Sequence, residues 1–199
     1  MTVRVDSCAP WLEGRAHSVH SQFGEDGLIA TVFNRIGERN RWCFEVGASD
    51  GVTFSNTKAL RDAGWSAVLI EANAGEFAKL EEHVSDTVHC VHAEIDAHNL
   101  EDLLSFNGCP RDVDFGSIDI DGQDYWIWSG LSRFQPRVIL IEFSPYVANP
   151  LFIPEYGADG QGGKCQAGLA AMRKLGKELG YVAVAQTYCN LLFVLESEL

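Results

Sequence analysis

Two apolar runs, each leading into an acid, constrain this chain more than anything else in it. Trp42-Cys43-Phe44 passes through Glu45 and Val46 into the turn Gly47-Ala48-Ser49-Asp50-Gly51, and further on Val68-Leu69-Ile70 ends in Glu71. Short apolar runs closed by glycine-punctuated turns are how an α/β domain builds a pocket for an adenosyl group. The glycines let backbone approach the ligand, and a carboxylate at the end of the next strand can accept both ribose hydroxyls. A dinucleotide site needs G-x-G-x-x-G, with room for a pyrophosphate at the helix N-terminus. Here the pattern is E-x-G-x-x-x-G, and Asp50 stands where that pyrophosphate would lie. A carboxylate repels phosphate and attracts the amino group and sulfonium of S-adenosylmethionine (SAM), so the spacing points to SAM.

The 199 residues suit one domain, 1–199, with a substantial core. No apolar run approaches the roughly 18 residues of a membrane span. Residues 1–16 hold no continuous apolar segment of signal-peptide type, so the expectation is a cytoplasmic protein without a membrane span. Six cysteines (Cys8, Cys43, Cys90, Cys109, Cys165, Cys189) include no C-x-x-C pair, which favours reduced, buried thiols over disulfides or zinc. With 28 acids against 15 bases the net charge is -13. That field repels a phosphate backbone and no basic cluster offsets it, so nucleic acid is not an expected partner. Composition leaves open whether the chain forms a homo-oligomer.

After an N-terminal arm and helix within residues 1–40, strand-like runs recur at 43–46, 67–70, 87–91, 115–120 and 138–143. In that first helix Ile29, Val32, Phe33 and Ile36 fall on one face, with Glu25 and Asp26 in its first turn. Helical stretches alternate with the strands at 56–63, 76–84, 100–106 behind the cap Asn99, and 125–131. Strict alternation predicts right-handed crossovers, a parallel sheet with helices on both faces, and ligands at the carboxyl ends of the strands. The rhythm breaks at 144–165, where three prolines, four glycines and the aromatics Tyr146, Phe152 and Tyr156 suggest a substrate-covering lid. A helix carrying Leu169, Met172, Leu175 and Leu179 follows. Two last strands, 181–185 and 191–195, are close enough to form an antiparallel pair, expected at the sheet edge.

Five stretches in this order resemble the SAM-dependent methyltransferases of class I fold, and among them the FkbM-like group. They are Ser21-Gln22-Phe23-Gly24-Glu25-Asp26-Gly27, Phe44 to Gly51, Leu69-Ile70-Glu71, Ser117 to Tyr125 (with Asp119-Ile120-Asp121-Gly122), and Pro136 to Phe143 with Glu142. The resemblance implies a Rossmann-like, seven-stranded, mostly parallel sheet with a C-terminal antiparallel hairpin. It also implies methyl transfer, usually to a hydroxyl oxygen, with a small molecule or a sugar or glycan as acceptor. One departure is Ser144, where relatives often carry Asn.

For the donor, Glu45, Gly47, Ala48, Ser49, Asp50 and Gly51 are expected against the methionine and ribose portion, Glu71 on the ribose, and Asp96 either near adenine or in solvent. Asp119 and Asp121, two apart on an extended strand, would share one face. With Glu142 ending the neighbouring strand they form either an oxygen-ligand site for Mg²⁺, held by Asp121 and Glu142, or a metal-free centre. In the metal-free version Asp119 touches SAM while Asp121 acts as base or orients the substrate, and Asp124 caps the following helix. His17 and His20 could reach the pocket mouth or simply be exposed; Trp126 and Trp128 read as core aromatics. Two alternatives to a methyltransferase remain: an NAD(P)-dependent oxidoreductase, disfavoured by the absent G-x-G-x-x-G, and a non-catalytic SAM-binding module, disfavoured by retention of Asp121 and Glu142.

Overall fold

The computed structural model describes residues 3–157 and 166–199. Eight strands, β1 (Arg4–Val5), β2 (Trp42–Val46), β3 (Ser66–Glu71), β4 (Val88–His92), β5 (Phe115–Ile118), β6 (Val138–Glu142), β7 (Tyr181–Gln186) and β8 (Asn190–Leu195), form one sheet in the order β1-β7-β8-β6-β5-β2-β3-β4. The stretch β4-β3-β2-β5-β6 is parallel throughout, as the alternation of strand and helix requires. Chain order reverses between β2 and β5, so the crevice at their carboxyl ends is where such a sheet binds ligand.

Alternate side chains of these strands enter two cores. Phe44, Val46, Val68 and Ile70 face one side, where α4 (Leu100–Phe106), α5 (Asp124–Gly130) and α6 (Leu169–Glu178) pack. Cys43, Ala67 and Leu69 face the other, covered by α1 (Glu25–Ile36), α2 (Lys58–Asp62) and α3 (Ala74–Leu80). The apolar stripe of α1 is buried as its spacing predicts. Leu28, Ile29, Val32 and Phe33 are all within this second core, each contributing about 1.5–3 kcal/mol of burial.

Two expectations about the sheet need correction. It has eight strands, because Arg4 and Val5 pair antiparallel with Gln186 and Ala185 of β7; a two-residue strand has no alternation to read. The hairpin β7–β8 is antiparallel as expected, but it does not end the sheet as a pair. β8 inserts between β6 and β7, with Glu142 opposite Asn190, and β1 takes the outer edge. All six residues of β8 are buried, which its run Asn-Leu-Leu-Phe-Val-Leu permits.

Local caps also differ. Asn99 precedes α4 but makes no capping bond; its Oδ1 instead accepts from Asp96 N, tightening the turn before the helix. Glu25 and Asp26 are in the first turn of α1, yet both are buried. Asp26 Oδ2 accepts from the backbone N–H groups of Val19, His20 and Ser21 and from Ser21 Oγ, at 2.7–2.8 Å. Glu25 accepts from Phe23 N, Thr187 Oγ1 and Asn190 Nδ2, tying the start of α1 to the β7–β8 turn. The Ser21–Gly27 stretch is thus a polar knot that fixes where Gln22 and Phe23 project.

Candidate active site

The crevice at the switch point is a cleft of about 460 Å³, lined by Val46, Gly47, Ser49, Ile70, Glu71 and Glu76, with Asp119, Asp121 and Gly122 across from them. Gly47 has φ +80°, and a Cβ there would fall 1.8 Å from the Asp119 carbonyl oxygen, so only glycine lets this turn close against the end of β5. Gly47 N and Ala48 N both donate to Ile70 O, and Ser49 N donates to Glu71 Oε2 at 2.8 Å. Glu71 Oε1 accepts from Asn73 N at 2.7 Å. The Glu71 carboxylate therefore joins the two loops at the ends of β2 and β3 and still opens into the cleft. Each oxygen keeps a further acceptor site for a ligand hydroxyl.

Several residues expected on the donor support the cleft instead of lining it. Glu45 is buried, and its oxygens accept from Ser55 Oγ, Thr57 Oγ1 and Asn56 N at 2.6–2.7 Å. Burial pushes its carboxyl up despite these bonds. It anchors the 55–57 segment in front of α2, and that occupation corrects its assignment as a ligand contact. Asp50 accepts from Val52 N, Thr53 N and Thr53 Oγ1, and these bonds hold its carboxyl below the usual range although burial opposes them. Ala48 and Gly51 shape the same turn, where Gly51 N donates to Ala48 O. Asp96 accepts from His98 N and Asn99 N in an exposed turn and is not among the residues that line the cleft.

The acid cluster departs furthest from expectation. β5 ends at Ile118, and Asp121 has φ +59°, so Asp119 and Asp121 are not alternate residues of one strand and do not share its face. A left-handed turn at a non-glycine residue is uncommon, and aspartate is one of the residues that tolerates it. Asp124 holds this turn: its buried carboxylate accepts from Ile120 N at 2.9 Å and Gly122 N at 3.0 Å, bracing the loop before α5 instead of capping the helix. Asp119 and Glu142, the latter 8% exposed, share a hydrogen bond, which requires one carboxyl to carry a proton. Burial, reinforced by the neighbouring acids, pushes both upward. Gln166 Nε2 donates to Glu142 Oε2. With Asp124 spent on backbone and Glu142 on Asp119 and Gln166, the arrangement lends the Mg²⁺ expectation at Asp121 and Glu142 no support. No three such side chains among the described residues are grouped to hold a metal.

A second cavity, about 840 Å³, adjoins the cleft and shares Asp121 with it. Glu142 and Gln166 line it together with Gln22, Phe23, Pro145, Tyr146, Val147, Phe152, Tyr188 and Cys189. Residues 144–157 form one wall. They are fastened by Trp126 Nε1 to Pro154 O at 2.8 Å, by Gln123 to Glu155 O and Gly157 N, and by the Tyr146–Tyr188 hydroxyl pair at 2.6 Å. The remainder of the expected lid, 158–165 with Cys165, lies outside the described residues. Trp128 is a core aromatic as expected, packed on Phe193 and Tyr181, whereas Trp126 is half-buried and braces this loop. His20 pairs with Asp62, and His17 sits near Arg15 O; neither is among the lining residues. Tyr188, Cys189 and Gln166 carried no sequence signal, because what places them here is the insertion of β8 beside β6.

This architecture matches solved structures of class I SAM-dependent methyltransferases. The magnesium protoporphyrin IX methyltransferase of Synechocystis PCC 6803, solved with bound S-adenosylhomocysteine (SAH), superposes with a TM-score of 0.55 at 12% identity, covering 86% of this chain and 81% of that one. The sugar N-methyltransferase KedS8 of Streptoalloteichus sp ATCC 53650 gives 0.54 at 13%, with 86% of each chain covered. A TehB-like SAM-dependent methyltransferase of Corynebacterium glutamicum ATCC 13032 Kitasato gives 0.53 at 8%, covering 93% and 92%. At these identities the likeness establishes the fold. No protein-family model matches the sequence, and no curated protein does.

Proposed function

We propose that this chain is a SAM-dependent methyltransferase acting on a hydroxyl of a small molecule or sugar. One observation carries the reading: two cavities meet at Asp121 at the switch point, one acidic and polar, the other largely apolar. That is the arrangement a two-substrate transfer needs. The cleft also suits this donor chemically. Glu71, Glu76, Glu94, Asp119 and Asp121 line it and no lysine, arginine or histidine does, among the described residues. Such a wall attracts a sulfonium and an ammonium and repels a pyrophosphate, which counts against NAD(P).

Bound SAM supplies an activated methyl with its own leaving group. The chain then has to hold donor and acceptor in line and exclude water, which can be worth roughly 7–11 kcal/mol. In this reading Glu71 takes the ribose hydroxyls, and Gly47, Ala48, Ser49, Asp50, Gly51 and Asp119 shape or line the donor side. Glu45 works from behind by fixing the 55–57 segment. Asp121 stands between the two substrates and orients the acceptor hydroxyl. The Asp119–Glu142 pair, whose two carboxyls hold one proton between them and so carry one negative charge, takes up the proton that the hydroxyl loses. The 144–157 wall serves as the cover that keeps water out. Retention of both Asp121 and Glu142 beside the cavity favours an enzyme over a binding module.

Thermal shift with SAM, SAH, NAD⁺ and NADP⁺ tests the reading. SAM and SAH should raise the melting temperature by mass action, and a rise with NAD⁺ or NADP⁺ alone would replace this assignment with an oxidoreductase.

A further inference from the structure

We propose that the acceptor cavity is built for a flat, uncharged aromatic hydroxy compound, gripped by Phe23, Tyr188 and Tyr146. The inference rests on the methyl-transfer reading and goes beyond it by choosing among acceptors. The volume of about 840 Å³ is that of a small-molecule pocket. Four aromatic side chains line it, and three of them form a cluster: Phe23 and Tyr188 have centroids 5.3 Å apart and tilted by 53°, and Tyr188 and Tyr146 lie edge to face at 6.1 Å. Tyr146 is 75% exposed and Tyr188 37%, leaving large ring surfaces uncovered at the cavity. Aromatic pairs favour offset and edge-to-face geometry, so a planar ring entering here can add to the cluster without disturbing it.

The polar groups that remain point to the same class. The two tyrosine hydroxyls are bonded to one another at 2.6 Å, and the Gln166 amide is spent on Glu142. A sugar bears hydroxyls on all sides, and those buried against Phe23, Pro145, Val147 and Phe152 would lose water without gaining a partner. A single hydroxyl directed at Asp121 and Glu142, where the two cavities meet, has partners at once. Anionic acceptors face Asp121 and, at Glu142, the singly charged Asp119–Glu142 pair, with no basic side chain among the described lining residues. Ammonium acceptors would sit beside the cationic sulfonium that the reading places across Asp121.

Calorimetry on the full chain separates this inference from the reading beneath it. SAH is titrated first, and then 2-naphthol, 2-naphthoate, 2-naphthylmethylamine and methyl α-D-glucopyranoside are titrated into SAH-saturated protein. The expected result is that SAH binds and that 2-naphthol binds about tenfold or more tightly than each of the other three. Tyr188→Ala and Phe23→Ala should each weaken 2-naphthol about tenfold with SAH affinity unchanged, whereas Tyr188→Phe, which keeps the ring, should bind it nearly as wild type does. Tyr146→Ala, at a mostly exposed position, replaces either alanine variant whose circular dichroism shows unfolding. If SAH binds but the glucoside, the naphthoate or the amine equals or exceeds 2-naphthol, or if ring removal changes nothing, the aromatic cradle is overturned and the methyltransferase reading stands. If SAH does not bind wild type, both fall.

Discussion

Glu71 and Asp121 are both acids at the carboxyl ends of strands or in the loops beyond them, yet their surroundings give them different work. Glu71 already accepts Ser49 N and Asn73 N, so it is held in place before any ligand arrives. Glu71→Ala should weaken SAM binding by about 1.5–3 kcal/mol, the range for hydrogen bonds to a charged group, as read by calorimetry. Part of that loss will come from the Ser49 loop, so Glu71→Gln, which keeps one acceptor oxygen, should lose less. Asp121 is exposed, held in a left-handed turn by the two hydrogen bonds that Asp124 accepts from Ile120 N and Gly122 N, and common to both cavities. Asp121→Asn keeps the shape and one acceptor while removing the charge. It should reduce turnover at least about a hundredfold, as loss of a positioned acid–base or orienting group does, with SAM affinity nearly unchanged. Full activity in that variant would remove the catalytic centre from this loop. Activity should also survive chelator, because Glu142 is committed to Asp119 and Gln166 and no cation-holding group forms among the described residues.

At the scale of elements, the loops do more than the helices to make the site. The helices α2 to α5 are only five to seven residues long, too short to persist without the sheet they pack on. What fixes the loops between them is a set of buried or half-buried carboxylates that satisfy backbone N–H groups: Asp26 for 19–21, Asp124 for 120–122, and Glu101 of α4 for Ser132, Arg133 and Phe134. Glu101 also pairs with Arg133 at 2.8 Å, and its carboxyl is held down at about 2; burial opposes this, but the Arg133 side chain and three backbone donors outweigh it. Glu101→Gln should therefore cost about 2–3 kcal/mol at pH 7, read by urea unfolding, and the cost should shrink as pH falls below about 4.5 and vanish only below about pH 2. The wall at 144–157 is fastened at its edge by Trp126, Gln123 and the tyrosine pair, all of them contacts a moving cover can remake.

For the whole molecule, the acids divide into two populations with opposite effects on stability. Glu101, Asp114 and Glu198 have carboxyls below the usual range, so the native state binds fewer protons than the unfolded chain and loses their contribution as pH falls below about 4.5. Asp114 and Glu198 clasp buried Arg137, with N–O distances of 2.7 Å. That cluster ties β6, the chain before β2 and the C-terminus together at the far end of the sheet. Asp119, Glu142 and Asp124 are pushed up, chiefly by burial, Asp124 to about 6. For them the native state binds more protons than the unfolded chain, and stability falls as pH rises from about 4 through their native values. The melting temperature should consequently peak near pH 5, on the acid side of neutrality, and decline toward pH 8. In Glu142→Gln the decline should be shallower. A maximum at pH 7 or above would mean that the cluster is not strained by ionisation.

Much of the frame is legible in the residues themselves. Apolar runs at βα spacing determine five parallel strands, because a buried parallel strand must be apolar on both faces. Gly47 and Glu71 announce the cleft at the switch point, because a close backbone approach needs glycine and a strand-end acid needs a reason. Local sequence is silent about partners chosen across the fold. It could not say that Glu45 would be taken by Ser55 and Thr57, that Asp121 would leave the strand by a left-handed turn, or that Asp119 and Glu142 would share a proton. Nor could it place Arg4 and Val5 in the sheet, or bring Tyr188 against Phe23 from the far end of the chain. Periodicity records which face of an element is buried. Only the tertiary structure decides which elements lie side by side, and the larger cavity is made almost entirely of such neighbours.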